Sequence, residues 1–303
     1  MPTKFRHNPE RADRQRDDLH ALGVLLPIRF RPVKVLPGRH PLGRTGEGMR
    51  MLRTRPYVPG EDNPRDIDRF SRPNERMVME WEDEAQASIM LLADVSASMS
   101  VPIKAGLRDA CLLQMTYSLW RSGDRVGTIL FDSSLGEQIA APNLRTQVQL
   151  LTGALARAGT QGLTDVAGVL RSYMELDRRR RADLLFVISD FLLSGESDAG
   201  PRIDWRKLPV SLRHNVVPVV VSFAVSGTAA GMIKFWDPER RQRRLVWLSR
   251  ERIRRINARE CERLASVTAS FRAAGLDYMV LAELRDIYPE LARLARGRRL
   301  RKH

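Results

Sequence analysis

The residues best equipped for chemistry stand in Asp94-Val95-Ser96-Ala97-Ser98, directly after the apolar run Ile89-Met90-Leu91-Leu92-Ala93. Such a run reads as a buried strand that ends abruptly at a carboxylate. While the chain stays extended, residues i, i+2 and i+4 point to one side, so Asp94, Ser96 and Ser98 would converge just beyond the strand. One carboxylate and two hydroxyls, with no thiol or imidazole among them, suit Mg²⁺, Mn²⁺ or Ca²⁺ and not zinc or copper. Ser and Asp after a strand also make ordinary turns and helix caps, so this stretch needs company to mean more.

Two further stretches supply it. Gly159-Thr160-Gln161-Gly162-Leu163-Thr164-Asp165 opens a helix, with Asp165 or Thr164 suited to cap it and Thr164 equally able to turn its hydroxyl to a metal. Ile188-Ser189-Asp190-Phe191 places a second carboxylate at a strand end. Asp-x-Ser-x-Ser, then Thr, then Asp, each at the top of a successive element, is a far more specific signal than any one of them. Asp132, after the strand 126–131, reads as a turn residue.

The elements that must position these groups alternate. Strands are expected at 89–93, 126–131, 183–189, 216–223 and 278–282, and helices at 103–121, 145–158, 165–177, 250–274 and 287–297. Met232–Trp236 and Leu245–Leu248 are expected to pair as a hairpin. Short apolar strands separated by helices imply a mainly parallel sheet covered on both faces, with ligands held beyond the strands' carboxyl ends. Upstream, Leu22 to Gly48 holds Pro27, Pro32, Pro37, Pro41 and five glycines, which favours short strands and loops. Arg53 to Arg76 is dense in charge of both signs, a solvated or cross-paired surface. Met77 to Glu84 alternates Met77, Met79 and Trp81 with Glu80, Glu82 and Glu84, the pattern of a half-buried strand with its apolar side inward.

The chain has 303 residues and a net charge of +15, which is unevenly spread. Lys+Arg against Asp+Glu number 17 and 14 over residues 1–84, 11 and 12 over 85–200, and 23 and 10 over 201–303. Cys111 and Cys261 form no motif, which excludes a disulfide scaffold and fits a reducing compartment. Both are expected in the core, and the tryptophans are expected to pack. No segment reaches the roughly 18–20 apolar residues needed to span a bilayer. A soluble, cytoplasmic protein is expected.

Residues 87–225 resemble a von Willebrand factor type A domain with a metal-ion-dependent adhesion site. Asp94, Ser96 and Ser98 match its first loop, Thr164 its second and Asp190 its third. The resemblance implies that the hydroxyls bind Mg²⁺ or Mn²⁺ directly, that the aspartates often act through water, and that one coordination position stays open for a partner's acidic side chain. Arg55-Pro56-Tyr57-Val58-Pro59-Gly60-Glu61-Asp62, followed by Arg65-Asp66-Ile67-Asp68, is similar to the segment before the A domain in the DUF58 family. Gly43-Arg44-Thr45-Gly46-Glu47-Gly48 is similar to that family's upstream glycine-rich turn, and 260–281 to its C-terminal part. One departure stands out: Arg69 occupies the place of the family's usual tryptophan.

The implied fold is α/β, a doubly wound and mainly parallel sheet with a small β-rich or irregular N-terminal extension. The implied division is 1–84, 85–296 and a basic tail at 297–303. The implied function is that of a non-enzymatic adaptor beside a MoxR-type AAA+ ATPase, maturing or remodelling a client protein with an exposed Asp or Glu. The sequence holds no Gly-x-x-x-x-Gly-Lys-Ser/Thr loop, as a nucleotide-free partner of such an ATPase requires. Two other readings compete. Arg240-Arg241-Gln242-Arg243-Arg244 and the run from Arg296 to Lys302 offer charge to nucleic acid or an acidic membrane surface. With little aromatic interleaving for base stacking, any such binding is expected to be non-specific and steeply salt-sensitive. A Mg²⁺-dependent phosphoesterase would need a base or second metal that these loops do not offer.

Overall fold

The computed structural model describes residues 37–72, 74–158, 165–176, 182–192, 203–208, 215–225, 231–237 and 242–300. A six-stranded sheet is built from β3 (Ser88–Asp94), β4 (Arg125–Phe131), β5 (Leu135–Ile139), β6 (Leu184–Ser189), β7 (Val216–Val221) and β10 (Met279–Leu281). Their spatial order is β10-β7-β6-β3-β4-β5, parallel throughout except for β5. The sheet is the doubly wound, mainly parallel α/β architecture expected of a von Willebrand factor A-like fold. The antiparallel edge strand β5 was not anticipated. Its sequence, Leu-Gly-Glu-Gln-Ile, lacks an apolar run because it lies at the edge with its three central residues exposed.

The strands are apolar on both sides because both faces are covered. Ile89, Leu91 and Ala93 of β3 face one core with Phe186 and Ile188 of β6. That core is closed by Leu107, Cys111, Met115 and Leu119 of α1 (Pro102–Arg121), Leu151 of α2 (Leu144–Arg157) and Ile287, Leu291 and Leu294 of α5 (Ile287–Leu300). Met90 and Leu92 face the other way with Leu185 and Val187. There Val166, Val169, Leu170 and Tyr173 of α3 (Val166–Leu176) and Phe271 of α4 (Arg250–Ala273) complete the packing. Each Leu, Ile, Val, Phe or Met among these, withdrawn fully from water, contributes about 1.5–3 kcal/mol before its lost entropy is subtracted.

From β3 the chain passes through α1 to β4 on one side, and later returns through α3 to β6 on the other. The strand order therefore reverses at β3, and the crevice at the carboxyl ends of β3 and β6 is a topological switch point. The register Ala93↔Ile188 aligns the two ends, so Asp94 and Asp190 emerge side by side despite the 96 positions separating them in sequence.

Outside the main sheet, β1 (Pro37–Pro56) pairs antiparallel with β2 (Met77–Ala85). Residues 22–36 lie outside the described region. From Pro37 the expected short strands and loops are instead one 20-residue strand, whose prolines and glycines are absorbed by four register shifts. In β2 the burial is the reverse of that expected. Val78, Glu80 and Glu82 are buried, while Met77, Met79 and Trp81 are half-buried. The cause is visible at Glu80, whose carboxylate receives Arg53 Nε and Arg55 Nε at 2.6 Å each from across the pair. β8 (Gly231–Asp237) and β9 (Gln242–Leu248) form the anticipated hairpin. Its Trp247 is 59% exposed and does not pack as expected. Cys261 is also exposed, whereas Cys111 is buried and its thiol is pushed up to about 12 by desolvation.

Helix α5 runs on through Leu300, so residues 297–300, expected as the start of a basic tail, are its last turn. Arg298 is fully buried and donates to Asp277 at 3.1 Å. A positive charge held in that way is not available to a polyanion. Among the described residues no helix is long and apolar enough to cross a membrane.

Candidate functional site

The loop leaving β3 does not stay extended. After Asp94 and Val95 the backbone winds into a 3-10 turn at Ala97–Ser100, with Ser96 as its N-cap residue. Ser96 and Ser98 are brought together by that winding, and their hydroxyl oxygens lie 3.2 Å apart. The Asp94 carboxylate bridges this turn and the end of β6. Its Oδ1 accepts the Ser96 N–H at 2.9 Å and its Oδ2 accepts the Ser189 hydroxyl at 2.6 Å. The carboxylate thus meets Ser96 and Ser189 together, through hydrogen bonds and a 3-10 turn in place of a straight extended chain.

Asp190 completes the cluster from β6. Its Oδ1 accepts the Ser98 hydroxyl at 3.3 Å and the Leu192 N–H at 3.0 Å. Its Oδ2 accepts Lys104 Nζ at 2.7 Å. Asp94 and Asp190 are wholly buried, Ser96 nearly so, and Ser98 is partly open. Burial raises the Asp94 carboxyl above the usual carboxylate range, against the opposing hydrogen bonds from Ser189 and Ser96, and the nearby Asp190 adds to the rise.

Two guanidiniums hold the main-chain oxygens of the same two aspartates. Arg108 Nη1 donates to the Asp94 carbonyl at 3.1 Å, and Arg263 Nη1 to the Asp190 carbonyl at 2.5 Å. Arg108 is balanced by Asp109 at 2.7 Å, and Arg263 by Glu260 at 2.6 Å. Burial pushes the Glu260 carboxyl upward, but Arg263, the Ser222 hydroxyl and the charge of Lys104 together hold it below its ordinary value. Phe191, next after Asp190, has φ 53°, the one non-glycine residue with positive φ among those described. That costly backbone conformation is held by its ring, set edge-on to Trp205 and Phe271 at 6.0 and 5.4 Å, and by its N–H, which donates to Ser189 Oγ at 3.0 Å.

Of the five residues singled out in the sequence, Asp94, Ser96, Ser98 and Asp190 are linked by hydrogen bonds at the carboxyl ends of β3 and β6, with Ser98 the most open of the four. Thr164 lies outside the described residues. Asp132 is a turn residue, its Oδ1 accepting the Ser134 N–H at 3.0 Å, and Asp165 caps α3 by accepting the Gly168 N–H at 2.8 Å. Lys104, Arg108 and Ser189 were not foreseen. A signal for the first two exists: positions 104, 108, 111 and 115 share one helical stripe, so two cations stand in line with buried Cys111 and Met115. Cations on such a stripe imply buried anionic or carbonyl partners.

The donor set can be tested against a hard cation. Adjacent ligands of an octahedral ion stand √2 times the metal–oxygen distance apart, which is about 2.9 Å for Mg²⁺ and about 3.3 Å or more for Ca²⁺. The separations of 3.2 and 3.3 Å that link Ser96 Oγ, Ser98 Oγ and Asp190 Oδ1 fall toward the longer end of that span, so a smaller ion would draw these oxygens a few tenths of an ångström closer. No group of three His, Cys, Asp or Glu side chains is gathered for a metal among the described residues, so any cation here would be held mainly by hydroxyls.

A family model described as "Protein of unknown function DUF58" matches residues 53–265. No curated protein matches the chain. An aerotolerance-related membrane protein from Bacteroides fragilis, solved with multiple mutations to serines, is similar at 14% identity and a TM-score of 0.41, covering 68% of this chain and 99% of that one. The pilus adhesin SpaC from Lactobacillus rhamnosus, in an open conformation, is similar at 16% identity and a TM-score of 0.40, covering 71% of this chain and 30% of the adhesin. The von Willebrand factor domain of the pilus tip protein Mfa5 from Porphyromonas gingivalis is 15% identical with a TM-score of 0.28, covering 36% of this chain and 40% of that one.

Proposed function

The chain belongs to the DUF58 family, and from that premise we propose that it is a protein-binding adaptor whose contact is made through a divalent cation, Mg²⁺ or Mn²⁺. Ser96 and Ser98 would hold the ion directly. Asp190 and Asp94 would supply negative charge, and Thr164 would add a third hydroxyl. Such an ion, held by few direct charges, keeps enough electrophilic character to take an acidic side chain from a partner. The observation that carries the reading is the set of oxygens 3.2 and 3.3 Å apart at the switch point of the sheet.

The protein side of the chemistry is positioning. Ser189 and the Ser96 N–H fix Asp94, Arg108 and Arg263 pin the two backbone segments, and the Phe191 anchor fixes the direction in which Asp190 leaves β6. With two carboxylates and no third acidic or imidazole group gathered beside them among the described residues, the arrangement favours capture over hydrolysis. The partners we propose are a MoxR-type AAA+ ATPase and a client presenting an exposed Asp or Glu, with the chain working in the cytoplasm. This assignment rests on the family resemblance.

The test is calorimetric titration of the full chain with MgCl₂ and MnCl₂ in a buffer containing acetate, which stands in for the partner's acid group. Saturable binding that disappears in Ser96→Ala, with the melting temperature unchanged, is the expected outcome. Absence of binding in the wild type contradicts the reading.

A further inference from the structure

Lys104 is the least expected member of the site. Its side chain is 6% exposed, and its ammonium donates to Asp190 Oδ2 at 2.7 Å while lying 5.3 Å from the centre of the Phe223 ring. The helix that carries it starts at Pro102, so Lys104 sits in the first turn of α1. Cations are disfavoured at that end of a helix, because the unpaired N–H groups there already present partial positive charge. A buried ammonium at a helix N-terminus is retained against both desolvation and the helix dipole, and the counter-charge of Asp190 is what compensates it.

The local charge then decides how an ion is held. Arg108 and Arg263 are neutralised by Asp109 and Glu260, which leaves Asp94, Asp190 and Lys104 to set the balance. Two carboxylates and one ammonium sum to a single negative charge. A divalent ion turns that into a single positive charge, and one carboxylate from outside returns it to zero. Without Lys104 the two aspartates would neutralise the ion alone, and an incoming acid group would then bring the site to a net negative charge.

Taking the site as the divalent-cation site proposed above, we infer that Lys104 is its resident cation: it weakens the hold on a lone metal ion and makes ion and acidic partner bind together. The ammonium opposes the ion by direct repulsion across a few ångströms of buried, weakly screened space, and it ties up one oxygen of the ion's own carboxylate ligand. A bound acid group offsets the excess charge. Ion and acid therefore raise each other's affinity by the same factor. An adaptor built this way does not fill its site with Mg²⁺ until a client or partner arrives.

The experiment compares the full-length wild type with Lys104→Gln, Lys104→Met and Lys104→Arg in calorimetric titrations with MnCl₂, with and without acetate. Circular dichroism and a melting curve establish that each variant is folded. Gln keeps a hydrogen-bond donor for Asp190 without charge, Met fills the space without either, and Arg keeps the charge. In acetate-free buffer, Lys104→Gln is expected to bind Mn²⁺ about tenfold or more tightly than wild type, a difference of ~1.4 kcal/mol or more. Acetate should sharpen binding in wild type and Lys104→Arg but not in Lys104→Gln. Lys104→Met, should Lys104→Gln not fold, is expected to show the same gain. A wild type that binds Mn²⁺ with acetate, together with uncharged variants that bind no more tightly, overturns the role of Lys104 and leaves the metal site standing. A wild type and variants that are all silent, with acetate as without, overturn the metal site itself.

Discussion

Two clusters of paired charge in this molecule are chemically alike and differ in their access to water. On the β1–β2 pair, Arg53 and Arg55 share Glu80, and Arg55 also grips Asp62, with the two arginines 66% and 35% exposed. At the carboxyl ends of β3 and β6, Lys104 meets Asp190 with almost no exposure on either side. The first cluster is reached by water and salt, so its role is to register two strands whose backbone pairing is repeatedly interrupted. In the second the two charged groups are buried, so each must be answered by another, and the group behaves as one unit. Charge becomes chemistry in this fold only where the topology shields it.

That contrast is sharpest at Asp190. Asp190→Ala leaves the Lys104 ammonium buried without a counter-ion, and chemical denaturation is expected to show a loss of about 3–5 kcal/mol. An effect no larger than that of Arg53→Ala would erase the distinction between the clusters. Asp94 is expected to move the other way. Its carboxyl is raised by burial, so the ionised form costs stability above the ordinary value of 3.8, and that cost fades as the pH falls. Asp94→Asn should therefore raise the melting temperature at neutral pH while lowering affinity for Mn²⁺, and the stability gain should close on acidification. A variant less stable than wild type at neutral pH would show that the carboxylate serves the fold and not the site.

The smallest effect belongs to the exposed cluster. Arg55→Ala is expected to lower the melting temperature modestly, and the difference should shrink as NaCl rises. Arg55, through its hydrogen bond, holds the Asp62 carboxyl below its ordinary 3.8, and Arg53 then Arg55 hold that of Glu80 below 4.5. For depressed carboxyls the stabilisation is full above those ordinary values and is lost as the pH falls through the lowered ones. Wild type and Arg55→Ala should thus converge in acid. A gap between them that ignores both salt and pH would mean that Arg55 acts by packing.

Much of this was legible in the residues because a doubly covered parallel sheet writes itself as short apolar runs with polar ends. Ile89 to Ala93 and Leu184 to Ser189 could be read as neighbouring strands, and with them the meeting of Ser98 and Asp190. What failed to show was whatever depends on a partner from another element. Glu80 and Glu82 look solvent-facing until Arg53 and Arg55 are set across from Glu80. Arg298 looks like part of a tail until Asp277 is placed beside it. The hydrogen bonds that Asp94 receives from the Ser96 N–H and the Ser189 hydroxyl also leave no trace in strand periodicity. Lys104 was hidden for the same reason, although its place on the buried stripe of α1 marked it as a cation with a debt to some anion.

In the proposed site the hydroxyls of Ser96 and Ser98, with Asp190, surround a single divalent ion. Crystals of the full chain grown with MnCl₂ and acetate, measured at the manganese absorption edge, test it directly. One anomalous peak within metal–oxygen bonding distance of both seryl oxygens, about 2.0–2.4 Å, is expected. An ordered Ser96–Ser98 turn with no peak beside it would overturn the metal site.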